Sequence, residues 1–392
     1  MFGYRRAPVD LARLLGEPLP AAPVVGVEHE YSVLRTSDGR QVDFAHVVHA
    51  LGLGRPHLDP DDPNAYRLPS GAVVTADKAE AEIALPPVNV GLGFAGRLAG
   101  MAGREHAALA ARLPDANLIG YSTHISVEVP EGLEVEVGRL YVNRFGPAML
   151  LAMDGAEAPG LRIRPRRGRL ELCGDFLSGA ALEAALELAA GTVTRCVDAI
   201  ENGAARAALP PTIRCDWQPA IERRGWFIDQ RLIGLDGKAD AAASFDLVDG
   251  TSMPAVEQVQ TATELALAAL ATLDASASAR QAHVFGERAF GDLLAARHRP
   301  GVDLAPVMVT WPVTVFVAAR PDHADASFVV VPRRWLPTFL SRLDRGDLDR
   351  VLHRLVRDRG RTTVAEGWRD AQVPGVFGSI GARLALMAPE PM

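Results

Sequence analysis

Lysine is almost missing from this 392-residue chain: Lys78 and Lys238 are its only two, and arginine supplies the rest of the 41 basic residues. With alanine abundant, that bias reads as a coding preference. Arginine number alone therefore carries no functional message, whereas Lys78 stands out. Cysteine is scarce as well. Cys173, Cys196 and Cys215 are odd in number and form no C-x-x-C pair, which argues against a disulfide framework or a thiolate zinc module and for free thiols. No apolar run reaches membrane-spanning length, and MFGYRRAPVDLARLL lacks a secretory pattern, so a cytoplasmic protein with no membrane partner is expected. A formal net charge of −7 leaves no electrostatic footprint for nucleic acid. The phosphate-cradling loop GxxxxGK[ST] is absent too. The one GxGxxG, GLGFAG at 91–96, follows Pro86, Pro87 and Asn89 rather than a clean strand, so its glycines read as a turn and helix start. A nicotinamide oxidoreductase built on it is the weakest alternative.

What is present has the composition of a globular protein. Strand signals fall at 24–34, 71–76, 79–85, 119–129 and 161–173. Helical periodicity marks 95–113, 181–203, 254–273 and 276–297, and the N-terminal 1–23 reads as a short helix with a Pro-rich lead-in. After the linker-like HRPGVDLAP the texture changes. VMVTWPVTVFVAA and SFVVVP read as strands, WLPTFLSRL and LDRVLHRLVRDRG as amphipathic helices. Two domains are expected, 1–299 and a small α/β module at 300–392. Strands arrive in groups rather than in βαβ alternation, which favours α+β with a mainly antiparallel sheet.

Four of the strands share a peculiarity. In VVGVEHEYSV, strand periodicity puts Gly26, Glu28 and Glu30 on one face and Val25, Val27, His29 and Tyr31 on the other. In TADKAEAEIALPP one face carries Lys78, Glu80 and Glu82. GYSTHISVEVP sets Ser122, His124, Ser126 and Glu128 against Tyr121, Thr123, Ile125 and Val127. In GRLELCGD, Arg169, Glu171 and Cys173 alternate with Leu170 and Leu172. A solvated strand face usually mixes Thr, Lys, Arg, Glu and Gln, but these faces are rich in glutamate. Like charges side by side repel, so carboxylates converging on one sheet need cations. Oxygen donors with one imidazole suit Mg²⁺ or Mn²⁺, ions that commonly bridge to phosphates. The sheet thus reads as a surface for a metal–nucleotide complex. His46 and His49 lie on one helical face without acid or cysteine partners and read as packing or surface residues.

These residues resemble a family. Gly26–Tyr31 is similar to the G-φ-E-x-E-[FY] first strand of the glutamine synthetase-like carboxylate–amine ligases. That superfamily includes the bacterial and plant glutamate–cysteine ligases and the ligases and deamidases of the ubiquitin-like protein Pup. In the family's order follow Glu82–Pro87, similar to E-x-[AST]-x-P, with GAVVTAD before it; GYSTHIS, similar to the G-x-x-H strand; PAMLLAM at 147–153; and Arg169, Glu171 and Asp175, similar to R-x-E-x-x-x-D. Ser126 stands where a second histidine is usual, Cys173 where an arginine is, and Asp154-Gly155-Ala156 where Asn-Ser-Pro is.

The resemblance implies a glutamine synthetase-like fold, in which a curved sheet presents a metal- and ATP-binding face and packs helices on the other. It implies ATP-dependent joining of a carboxylate, on glutamate or a glutamyl-type group, to a small-molecule or peptide amine. Glu28, Glu30, Glu82, His124 and Glu171 would hold Mg²⁺ or Mn²⁺. Glu30, Glu82 and Arg169 would be catalytic. Glu28, His124, Ser126 and Arg169 would bind ATP, joined on position by Lys78 and by Arg164 in the basic run before Glu171. Glu80 or Glu128 faces the right way to take the amine's proton. A homo-oligomer is compatible with this reading. The alternatives are an amidase or deamidase that keeps ATP as cofactor, and a non-catalytic scaffold with a degenerate site.

Overall fold

The computed structural model describes residues 22–53, 55–56, 65–153, 160–203, 209–214, 218–219, 225–229, 244–275, 297–309, 311, 313–320 and 326–357. The helix expected at 276–297 and most of the N-terminal helix lie outside these residues. Two compact units are present, one built from Ala21–Leu53 and Gly71–Gly286, the other carrying Glu287–Met392.

The first unit is organised by a long central strand, β1 (Val24–Arg35). The strands around it are β2 (Val73–Asp77), β3 (Glu80–Ala84), β4 (Val88–Asn89), β5 (Ala116–Glu128), β6 (Gly160–Arg166), β7 (Arg169–Gly174), β8 (Gln218–Pro219) and β9 (Trp226–Asp229). Their order is β8-β9-β6-β7-β5-β1-β3-β2, with β4 also on β1, and these pairings are antiparallel. The pairs β2–β3 and β6–β7 are hairpins with two-residue turns, and the other neighbours are joined by longer connections. The stretch 161–173 is two strands, not one. It folds back at Arg167–Gly168, and Gly168 supplies the positive φ of 73° that this turn needs.

Helices cover one face of this sheet. They are α1 (Phe94–Ala110), α2 (Glu134–Arg144), α3 (Gly146–Ala152), α4 (Gly179–Asn202) and α5 (Ala255–Ala275). The core beneath them comes from the apolar half of each strand's alternation: Val25, Val27, Ile125, Val127, Leu161, Ile163, Leu170 and Leu172 are fully buried. Close approach explains several glycines. Trp226 and Leu170 press on Gly138 of α2, Ile228 and Ile163 on Gly146 of α3, and Ala266 of α5 on Gly191 of α4. GLGFAG makes a turn: Gly93 is left-handed at φ 69° and α1 begins at Phe94. The preceding β4 pairs antiparallel with β1, so the parallel βαβ setting of a dinucleotide site is not there.

On the helix side of β1, His29 and Tyr31 are buried, and the Phe176 ring lies against both. His29 Nδ1 is 3.1 Å from the Tyr31 hydroxyl, and Tyr31 stacks on His106 of α1.

The second unit contains an antiparallel meander, β10 (Arg297–Arg299), β11 (Val302–Val309), β12 (Val313–Ala319) and β13 (Ala326–Pro332), with helices α6 (Leu336–Arg345) and α7 (Asp349–Arg357). Phe316 meets Phe339 in its core, and Arg299 grips Asp349 through two hydrogen bonds of 2.9 and 3.0 Å. Gly346, left-handed at φ 83°, ends α6.

Gly120 ties core to site. It lies opposite Tyr31, and a β-carbon there would come within 2.3 Å of the Phe176 ring. Gly120→Ala should lower stability by about 1–3 kcal/mol, the usual cost of overpacking. Urea denaturation measures this, and an unchanged midpoint would refute the close packing.

Candidate metal and nucleotide site

Directly opposed residues of an antiparallel pair share a face. The register therefore lays the polar side chains in rows across the sheet. One row runs Glu82, Glu30, Ser122; the next Glu28, His124, Cys173, Arg162; the next Gly26, Ser126, Glu171, Arg164; and the last Glu128, Arg169, Arg166. Glu28, Glu30, Glu82, His124, Ser126, Arg164, Arg169 and Glu171 thus belong to one face.

Their contacts form two linked carboxylate clusters. In the first, ligand atoms of Glu28, His124 and Glu171 lie within 4.8 Å of one another. The second does the same with Glu30, Asp77 and Glu82. His124 joins them: its Nδ1 is 3.5 Å from Glu28 Oε2 and its Nε2 3.5 Å from Glu30 Oε2. At 4.8 Å, two ionised carboxylates repel by about 3 kcal/mol with an effective dielectric near 20. The ionisation pattern registers this. Burial, then the charges of Glu28, Glu30 and Asp77, raise Glu82 to about 8. Burial opposes charge on His124, but hydrogen bonds to Cys173 and Glu28 outweigh it and raise the imidazole to about 11. Burial likewise works against ionised Glu28, yet the His124 hydrogen bond and the charges of Arg169 and Arg164 hold it down near 2. A proton on Glu82 and an imidazolium at His124 thus balance carboxylate charge.

Beyond this the sign of the face changes. Glu171, with its side chain 3% exposed, is ringed by arginines: Arg164 Nε at 2.5 Å, Arg166 Nε at 3.2 Å and Arg169 Nη2 at 3.8 Å. Three guanidiniums thus converge on one buried carboxylate, and Arg164 and Arg169 act on Glu28 as well. Beside them Ser126 Oγ is buried and makes no hydrogen bond among the described residues.

Other expected residues fall differently. Glu80 and Glu82 share a face of β3, but Lys78 does not join them, because β2 and β3 are a hairpin with Lys78 and Ala79 in its turn. Lys78 is exposed there in the left-handed region, φ 58°, and makes no ion pair among the described residues. Glu128 accepts a hydrogen bond from the Val24 amide at 3.0 Å, which ties it to the start of β1. Tyr121 was expected on the apolar side, but a β-bulge falls where Glu30 pairs with Ser122 and Tyr31 with Gly120. Tyr121 is the extra residue, and its hydroxyl donates to Glu80 Oε2 at 2.6 Å. His46 is a surface residue 3.2 Å from Asp43. Sequence reasoning missed Asp77, Tyr121 and Arg166. For Asp77 a signal existed, since a two-residue turn would set it opposite Glu80 on the polar face.

The donor sets fit hard divalent cations. Carboxylate oxygens with one imidazole, grouped in threes, match what Mg²⁺ or Mn²⁺ takes when waters and phosphates complete the shell. Arginines and an unpartnered hydroxyl beside them fit phosphate oxygens.

The class that fold and site define is a helix-backed antiparallel sheet whose polar face holds two candidate cation clusters beside an arginine cluster. No protein-family model matches the sequence, and no curated protein does. Among solved structures, the chain is similar to the complex between the prokaryotic ubiquitin-like protein Pup and its ligase PafA, at 12% identity and a TM-score of 0.43, over 71% of this chain and 66% of that one. It is also similar to the Pup ligase PafA in complex with ADP, at 13% identity and a TM-score of 0.32, over 59% of this chain and 62% of that one. The chain therefore spans just under two thirds of the length of these proteins. No helix among the described residues is long and apolar enough to cross a membrane.

A cation held by the Glu30, Asp77 and Glu82 cluster would need Glu82 ionised and would displace that proton. With Glu82 raised to about 8, Mn²⁺ affinity should climb as pH rises from 6 towards 8. Calorimetry at pH 7 in buffers of different ionisation enthalpy should detect proton release. A pH-independent affinity with no proton release would contradict the assignment.

Proposed function

We propose that this chain is an ATP-dependent carboxylate–amine ligase of the glutamine synthetase-like superfamily, acting on glutamate or a glutamyl-type carboxylate through an acyl phosphate. The observation that carries this reading is the placement of two carboxylate clusters and an arginine cluster on one sheet face, next to one another. A carboxylate does not react with an amine at neutral pH, because oxide is a very poor leaving group. ATP supplies the phosphoryl group that turns that oxygen into phosphate, and divalent ions neutralise the charge on the phosphates.

The chain's own residues divide the remaining work. Glu28, His124 and Glu171 form one cation site, and Glu30, Asp77 and Glu82 the other. Arg164, Arg169 and Ser126 offer donors to phosphate oxygens, and the guanidiniums do so with fixed geometry. Glu30, Glu82 and Arg169 would serve the transferred group, the two acids through bound cations and Arg169 through its guanidinium. Lys78, exposed on its hairpin turn, would meet phosphate or an incoming substrate carboxylate. The amine needs a base, and Glu80 and Glu128 are the two expected candidates, each accepting one hydrogen bond, from the Tyr121 hydroxyl and the Val24 amide. Residues 1–299 would form the ligase domain and 300–392 a separate α/β module. Substrates are small-molecule or peptide acids and amines, in the cytoplasm.

The test is ADP and phosphate release with Mg²⁺, ATP and pooled carboxylates and amines. Amine-dependent release supports the ligase. Amide loss without net ATP consumption would instead assign a deamidase, and no ATP binding in calorimetry would leave a scaffold. Arg169→Ala should weaken ATP binding about 10- to 100-fold, the worth of a hydrogen bond to a charged group. Unchanged affinity in that variant would remove Arg169 from the phosphate site.

A further inference from the structure

The bulge on β5 does more than reverse one side chain. β5 and β3 flank β1 on opposite sides, and neighbouring strands are about 4.8 Å apart, so Tyr121 and Glu80 start about 10 Å from each other. Their side chains nevertheless meet at 2.6 Å. The register makes the bridge cross β1 at the level of Glu30 and Ser32, on the far side of Glu30 from Glu28. Glu80 is itself the pair partner of Asp77, and two residues from Glu82. One hydroxyl therefore fastens the end of the β2–β3 hairpin, which brings Asp77 and Glu82, over the strand that brings Glu30. Glu30 contributes to the field around the phenol as well. Burial and the Glu80 hydrogen bond, with Glu30 adding to them, hold Tyr121 well above the usual phenol range, so its proton stays available for the bridge.

We propose that Tyr121 is a positioning residue for the Glu30/Asp77/Glu82 cation site, acting through Glu80. It touches neither metal nor substrate. It fixes the hairpin end against β1, so that three carboxylates from three strands converge within 4.8 Å despite their mutual repulsion. Among the described residues this is the side-chain hydrogen bond that reaches from β5 to β3, and without it the exposed Asp77 would be free to swing away from Glu30. Hydrogen-bonding partners of metal-ligating carboxylates typically matter by about 10- to 100-fold in metal affinity. The Glu28/His124/Glu171 site lies on the other side of Glu30 and does not depend on the bridge. The inference rests on the metal-site part of the proposed function.

The test uses the full chain and Mn²⁺ alone, with free Mn²⁺ followed by electron paramagnetic resonance. The wild type should bind Mn²⁺ at two classes of site. Tyr121→Phe should weaken one class about 10- to 100-fold and leave the other unchanged, with the melting temperature of the metal-free protein preserved. Glu80→Ala should weaken the same class, as should Asp77→Asn. Because Tyr121 and Glu80 act as one unit, the double variant should lose no more than either single variant. Two unaltered classes in Tyr121→Phe, or additive losses in the double variant, would overturn the positioning role while leaving the metal reading intact. A wild type that binds no Mn²⁺ would overturn the metal reading and this inference with it.

Discussion

Carboxylate repulsion on the polar face of β1 is the constraint around which this unit is arranged. Glu28 and Glu30 are neighbours on one face, and Glu82 stands directly opposite Glu30. Such a grouping lowers stability unless positive charge enters it. His124 is inserted between Glu28 and Glu30, and Glu82 is biased toward its protonated form by burial and by its neighbours' charge. Both devices are replaceable by a divalent cation.

The sheet supplies the means. Antiparallel pairing keeps the period-2 alternation in phase across β3, β1, β5, β7 and β6, so an apolar core and a charged face arise from the same strands. Along that face the charge changes sign, from the acids of β3 and β1 to the arginines of β6 and β7. Under the proposed function, a polyanion with bound cations would complement that gradient, its metals at the acids and its phosphates at the guanidiniums.

Much of this was legible in the sequence because strand alternation is a strong signal. The glutamates of β1 and β3, His124, Glu171 and the C-terminal meander all follow from it. What stayed hidden depends on breaks in the alternation. Lys78 turns the chain in a conformation that side-chain-bearing residues seldom adopt, with neither Asn nor Gly to announce it, so the pairing of Asp77 with Glu80 has no marker in the local sequence. The bulge at Tyr121 has no local marker either. It is fixed by the tertiary fit of Gly120 beneath Phe176 and by the reach of Glu80. The turn at Arg167–Gly168 did carry a signal in its glycine, but the basic run around it obscured the split into two strands.

Diffraction at the manganese edge from crystals grown with Mn²⁺ and a non-hydrolysable ATP analogue tests the central claim most directly. Anomalous density in both carboxylate clusters, with phosphates between them and Arg164 and Arg169, is the predicted result. Nucleotide bound elsewhere, or clusters free of anomalous density, would contradict it.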